Sequence, residues 1–165
     1  ATIYKAEKID THGGSLRIFI KKGKNHKPDK SIINLLKEEE SAGLKSYKTY
    51  EDFGKKVEVI RENVKKNISN LKSNGKKLIG YGSPAKATTA LNYFGISKEI
   101  DFIVEDNKLK QGKFVPGVKI PIKSKKIVKN NDNTMIVLAW NFFKDIKKNK
   151  SNLSKNIINI KELEN

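Results

Sequence analysis

Gly80-Tyr81-Gly82-Ser83-Pro84-Ala85-Lys86 follows the apolar run Leu78-Ile79 and precedes a helical pattern, which is the arrangement that cradles phosphate groups. Two glycines let the backbone turn sharply and approach a ligand, Ser83 is placed to cap the helix, and Pro84 suits its first turn. The unpaired N–H groups at such a helix start attract anions. Gly80-x-Gly82-x-x-Ala85 fits the relaxed G-x-G-x-x-G/A fingerprint of dinucleotide loops, and Glu105-Asp106 end the next apolar run about where a ribose-binding acid is expected. Lys86 stands in the first helical turn, where the dipole disfavours a cation unless an anion shares the site. The same glycines could instead serve tight packing of helix on sheet.

The elements needed to position these residues are legible around them. Ala87, Ala90, Leu91 and Phe94 recur at helical spacing and Gly95 stops the helix, so a β-α-β unit runs from about Lys77 to Asp106. Upstream, residues 2–9 and 15–21 read as two strands about Thr11-His12-Gly13-Gly14-Ser15, and residues 22–30 as a linker. A helix is expected from about Asp29 to Ser41 with Ile32, Leu35 and Leu36 inward. A longer one starts at Thr49 and carries the stripe Phe53, Val57, Ile60, Val64, Ile68 and Leu71. Downstream, extended runs are expected at 100–104, 118–122, 134–139 and 156–160, with Asn141 capping a helix to about Lys148. The fold class that follows is α/β, a Rossmann-like, mostly parallel sheet with helices on both faces, preceded by an N-terminal β-strand pair. Ligands bind such sheets beyond the strands' carboxyl ends, which gathers the Gly80 loop, Glu105-Asp106 and Trp140-Asn141 on one edge, with the Lys110-Gln111-Gly112-Lys113 loop leaning over it.

Composition narrows the partners. The chain of 165 residues has a formal charge of +17, yet of its 35 basic residues only Arg17 and Arg61 are arginine and the lysines are scattered. Guanidinium forks for base edges and phosphates are nearly lacking, so no specific nucleic-acid partner is expected. Without cysteine, and with only His12 and His26, no metal site is expected. No run is apolar enough for a membrane span and no secretory leader is read, so no membrane partner and a cytoplasmic location are expected. No side chain forms a convincing nucleophile–base pair, so no catalytic residue is assigned.

Taken in order, Thr11-His12-Gly13-Gly14-Ser15-Leu16-Arg17, the Gly80 to Lys86 loop with Leu91-Asn92-Tyr93 and Gly95, Asp106-Asn107 with Lys110-Gln111-Gly112 and Pro116-Gly117, Ile120-Pro121-Ile122 and Trp140-Asn141 resemble the C-terminal domain of S-adenosylmethionine-dependent sugar C-methyltransferases. The resemblance implies that residues 1–22 are the last strands of an upstream methyltransferase domain and that 23–165 form the Rossmann-like C-terminal domain. It also implies that S-adenosylmethionine belongs to that upstream domain, with no cofactor in this segment, and that the segment alone is inactive. A nucleotide-linked deoxysugar would lie between the two domains, against His12, Gly80, Tyr81, Gly82, Ser83, Pro84, Lys86, Asp106, Lys110, Gln111, Trp140 and Asn141. His12 has a second reading as a turn residue before two glycines. Ala87 and Glu105 depart from the family pattern. The residues alone leave two other readings: an NAD(P)-binding module of an oxidoreductase using Glu105, and a non-catalytic interaction domain presenting the strand pair.

Overall fold

A computed structural model describes residues 1–165, which divide into two compact units, Ala1–Lys56 and Val57–Asn165. The first begins with strands β1 (Thr2–Ile9) and β2 (Ser15–Lys21), paired antiparallel with an irregularity between Ile3 and Lys5. Their connection is a single 3₁₀ turn at Thr11–Gly13, which places His12 at φ 57° ahead of Gly13 and Gly14 at 89° and 116°. Helix α1 (Lys30–Ser41) is capped by Asp29, whose carboxylate accepts from the Ser31 N–H at 2.7 Å. The Asp29 N–H donates to the Tyr4 carbonyl, and the Ser31 hydroxyl accepts from the Ala6 N–H at 2.9 Å, so the same short segment starts the helix and fastens it to β1. Ile32 and Leu35 are half-buried there, whereas Leu36, expected inward, is exposed.

Helix α2 (Tyr47–Ser73) starts two residues before Thr49, and the Thr49 hydroxyl donates to the Gly43 carbonyl instead of capping the helix. The apolar stripe divides by depth. Val64 and Ile68 are fully buried in the second unit, while Phe53 is 66% exposed.

The second unit is built on a five-stranded sheet in the order β5-β4-β3-β6-β7, with every pair parallel. The strands are β3 (Leu78–Tyr81), β4 (Phe102–Val104), β5 (Ile122–Lys123), β6 (Thr134–Val137) and β7 (Asn156–Asn159). From β3 the chain winds outward through β4 and β5, then returns to the other side for β6 and β7. The order therefore reverses between β3 and β6, where open α/β sheets open a crevice. Alternation along the strands assigns the faces. Leu78, Ile103, Ile136 and Leu138 meet α2 and helix α3 (Ala85–Phe94) on one side. Ile79, Tyr81, Met135 and Val137 meet Ile146 of helix α4 (Phe143–Asn149) on the other. The Rossmann-like α/β architecture and the preceding strand pair are thus as read from the sequence.

Three local expectations are corrected. The extended run at 118–122 shrinks to a two-residue β5, because Lys119 takes φ 56° and the Val115 N–H bonds the Ile120 carbonyl across a tight loop. Ser83 does not cap α3: Pro84 occupies the cap position with φ −68° and ψ 162°, and the Ser83 hydroxyl is engaged elsewhere. Asn141 does not cap α4 either, since Trp140–Phe142 form a 3₁₀ turn and Phe142 precedes the helix without a side-chain cap. Gly95 does terminate α3, at φ 69° with its N–H on the Leu91 carbonyl at 3.0 Å. No helix is long and apolar enough to cross a membrane.

Gly80 is needed for space. A methyl group there would lie 2.8 Å from Cγ1 of Ile103 and 3.0 Å from Cδ1 of Leu138, neither of which can withdraw from the packed face. Gly80→Ala should lower stability by about 1–3 kcal/mol through overpacking. Gly54→Ala, on α2 with nothing within 4 Å of the added carbon, should raise it by roughly 0.5–1 kcal/mol through helix propensity. Urea denaturation of the two variants checks both signs.

Candidate functional site

The loop between β3 and α3 is held by one carboxylate. Glu105, just beyond β4, is largely buried, and its Oε2 accepts from the Ser83 N–H at 2.9 Å and the Ser83 hydroxyl at 2.7 Å. Its Oε1 accepts from the Asn107 N–H at 3.0 Å. The following loop closes over the same point: the Gln111 side chain donates to the Glu105 carbonyl at 2.7 Å, and Lys110 donates to the Ser83 carbonyl at 2.8 Å. Burial alone would push the Glu105 carboxyl up; the donors from Asn107 and Ser83, with the Lys110 charge, outweigh it and hold the group below its ordinary value.

Gly82 completes the loop for two reasons. Its φ of 82° is one that glycine adopts without strain, and a Cβ would stand 2.9 Å from that of Ala139, beyond β6. Both glycines are therefore required by side chains of the neighbouring strands and of the β6 exit, Ile103, Leu138 and Ala139, and not by close approach of a helix.

A second group forms on the opposite face. The Tyr81 hydroxyl donates to Oδ2 of Asp106 at 2.6 Å, and Lys150, following α4, donates to the same oxygen at 2.9 Å. Burial, reinforced by the Asp106 bond, pushes the Tyr81 phenol up to about 12, so it stays neutral and donating at physiological pH. The bonds from Tyr81 and Lys150 in turn hold the Asp106 carboxyl low. The ammonium of half-buried Lys86, in the first turn of α3, sits 4.5 Å from the centre of the Trp140 ring. That is a cation–π contact, which steadies a positive charge in the first turn of α3.

Of the residues singled out in the sequence, the structure brings Ser83, Lys110 and Gln111 into one hydrogen-bonded cluster through Glu105. Tyr81 joins Asp106, Lys86 joins Trp140, and Gly80, Gly82 and Pro84 shape the turn. Asn141 is exposed in the turn beyond β6. His12 belongs to the first unit, on the exposed turn between β1 and β2. Two members escaped the sequence reading: Glu105 as the tie of the loop, for which its place at a strand end was a signal, and Lys150, one lysine among many. No three His, Cys, Asp or Glu side chains are grouped so as to hold a metal ion.

In this arrangement Glu105 is turned onto the Ser83 turn, and the comparisons with known proteins agree on what the chain belongs to. Residues 10–159 match the model of the C-methyltransferase C-terminal domain. The chain belongs to that family. It is 31% identical over 150 residues to the C-methyltransferase NovU of Streptomyces niveus, an alignment covering 89% of this chain and 36% of that protein. The chain thus spans little more than a third of the length of this curated relative. In this family member the loop that resembles a dinucleotide fingerprint has its strand-end acid turned inward, onto its own backbone.

The Glu105 tie carries a pH signature. Its folded carboxyl titrates below the ordinary value of 4.5, so the stabilisation is fully present above that value and is lost as pH falls through the lower folded one. Glu105→Gln should be about 1–3 kcal/mol less stable near neutral pH. Its denaturation midpoint should also fall less steeply than the parent's as pH drops below 4.5. Urea midpoints measured across that range check both.

Proposed function

We propose that this chain is the acceptor-positioning domain of a longer S-adenosylmethionine-dependent C-methyltransferase acting on a nucleotide-linked deoxysugar. The observation that carries the reading is the pre-formed edge at the β3/β6 crevice, where Lys86 on Trp140 and Lys110 on the Ser83 loop present cations beside a fixed turn. Such an edge suits an anionic substrate held still for chemistry supplied from elsewhere. The name of the relative NovU supports the reaction class.

Glu105, the acid that the dinucleotide fingerprint would turn toward a ribose, is not free to hold a resident dinucleotide. Both carboxylate oxygens of Glu105 are engaged by Ser83 and Asn107, so this acid is not open to ribose hydroxyls, while Tyr81 and Lys150 share a single oxygen of Asp106. The methyl donor is assigned to the rest of the longer polypeptide, as is the base that takes a proton from the carbon beside the sugar's carbonyl. Residues 1–22 are read as strands that complete the sheet of that upstream domain. This segment by itself should transfer no methyl group.

Orientation makes the test specific. In the intact polypeptide, Lys86→Ala should lower kcat/KM for the nucleotide-linked ketosugar by roughly tenfold or more, mostly through KM, with the methyl donor's KM unchanged. Steady-state methyl transfer with each substrate varied in turn measures this. Unaltered acceptor kinetics in Lys86→Ala combined with Lys110→Ala would show that the acceptor lies elsewhere.

A further inference from the structure

Helix α2 passes from one compact unit into the other, since the first ends at Lys56 and the second begins at Val57. Each unit fastens its own share of the helix. Within the first, the Thr49 hydroxyl donates to the Gly43 carbonyl at 2.8 Å and the Tyr50 hydroxyl to the Leu44 carbonyl at 2.7 Å. Within the second, Glu58 accepts from the Tyr93 hydroxyl of α3 at 2.7 Å, Asn63 donates to the Glu164 carbonyl at 3.0 Å, and Val64 and Ile68 enter the core. Between Tyr50 and Glu58 no side-chain hydrogen bond or ion pair leaves the helix: Asp52 pairs with Lys48, and Glu51 with Lys55. Every residue from 50 to 56 is exposed, the rings of Tyr50 and Phe53 included. About two turns of helix therefore stand without tertiary support, which is where helices in proteins draw most of their stability.

Gly54 is the one glycine of α2, and it lies in the middle of this span. Gly80 leaves room for Ile103 and Leu138, and Gly82 and Gly95 take positive φ. Gly54 has neither reason: its φ is not positive, and an added Cβ would meet nothing within 4 Å. Only proline is a poorer residue for a helix interior, and the exposed pair Glu51–Lys55 that spans the glycine offsets little of that loss. The backbone hydrogen bonds of this span open more readily than those on either side of it. Opened residues can absorb a change of φ and ψ that packed ones cannot.

We infer that residues 51–57 of α2, centred on Gly54, form a hinge about which the two units reorient as rigid bodies. Under the function proposed above, the hinge joins the methyl-donor side of the longer polypeptide to the acceptor side, and its bending closes one on the other for transfer and parts them for release. The role in turnover rests on that proposal; the hinge rests on the helix alone.

Because the chain has no cysteine, spin labels can be directed to chosen positions. Lys37→Cys on α1 with Thr89→Cys on α3 reports the distance between the units, and Thr89→Cys with Lys148→Cys on α4 reports a distance inside the second; all three positions are exposed. Pulsed dipolar spectroscopy of the 165-residue chain should give a broader distribution for the first pair than for the second. Gly54→Ala should narrow it, and amide hydrogen exchange at residues 54–58 should slow roughly fivefold. Asn70→Ala, which raises helix propensity at an exposed position beyond the span, should change neither. A distribution between the units as narrow as that inside the second, or a broad one that Gly54→Ala leaves unaltered, overturns the hinge. These measurements involve no substrate, so they stand or fall apart from the acceptor reading. In the intact polypeptide Gly54→Ala should lower kcat roughly two- to tenfold. An unaltered kcat beside a narrowed distribution would keep the hinge and remove it from turnover.

Discussion

The buried carboxylate of Glu105 lies where three segments converge: the turn after β3, the exit of β4 and the loop from Asn107 to Gly112. A charge taken so far out of water is tolerable only when its oxygens are fully engaged, and donors from Ser83 and Asn107, with Lys110 close by, meet that requirement. The requirement runs both ways. Because the carboxylate must be satisfied, the β3–α3 turn is fixed before any ligand arrives, and the Lys110-Gln111 loop is pinned above it. The neighbouring residue shows how economically the strand distributes its acids. Beyond β4 the chain continues the alternation of Ile103 and Val104, so Glu105 serves the α3 side while Asp106 reaches Tyr81 and Lys150 on the α4 side.

Much of this was legible in the sequence where a local pattern and the tertiary structure demand the same thing. β3, α3 and the stop at Gly95 could be read because a buried strand, a stripe of Ala87, Leu91 and Phe94, and a left-handed glycine agree with one another. Capping residues were not so readable. Ser83 and Asn141 have the chemistry to cap, but a hydroxyl bonds to whichever acceptor the fold brings near, and Glu105 comes from 22 positions away. Periodicity identified the stripe on α2 without telling what would cover it: Val64 and Ile68 are under the sheet, while Phe53 and, on α1, Leu36 remain exposed. Lys150 could not be distinguished from the other lysines, because its importance comes from a contact with Asp106 across 44 residues.

The large positive charge is organised unevenly. Along α2, lysines alternate with acids in pairs such as Lys48–Asp52 and Lys55–Glu51, exposed contacts that contribute a few tenths of a kcal/mol each. At the carboxyl edge of the sheet three lysines are instead held against an aromatic ring, a backbone carbonyl or a half-exposed acid: Lys86 on Trp140, Lys110 on Ser83 and Lys150 on Asp106. Charge on the helix serves solubility, and these three charges at the edge are set in place.

Trp140 is the only tryptophan in the chain, and it stands at the mouth of the β3/β6 crevice with the Lys86 ammonium over its ring. An indole in that position is a built-in optical probe. Its emission is sensitive to the polarity and charge beside the ring, and no second indole elsewhere dilutes the signal. Events at the crevice, whether the arrival of an anion or the displacement of the ammonium, can therefore be followed in the unlabelled protein by fluorescence alone.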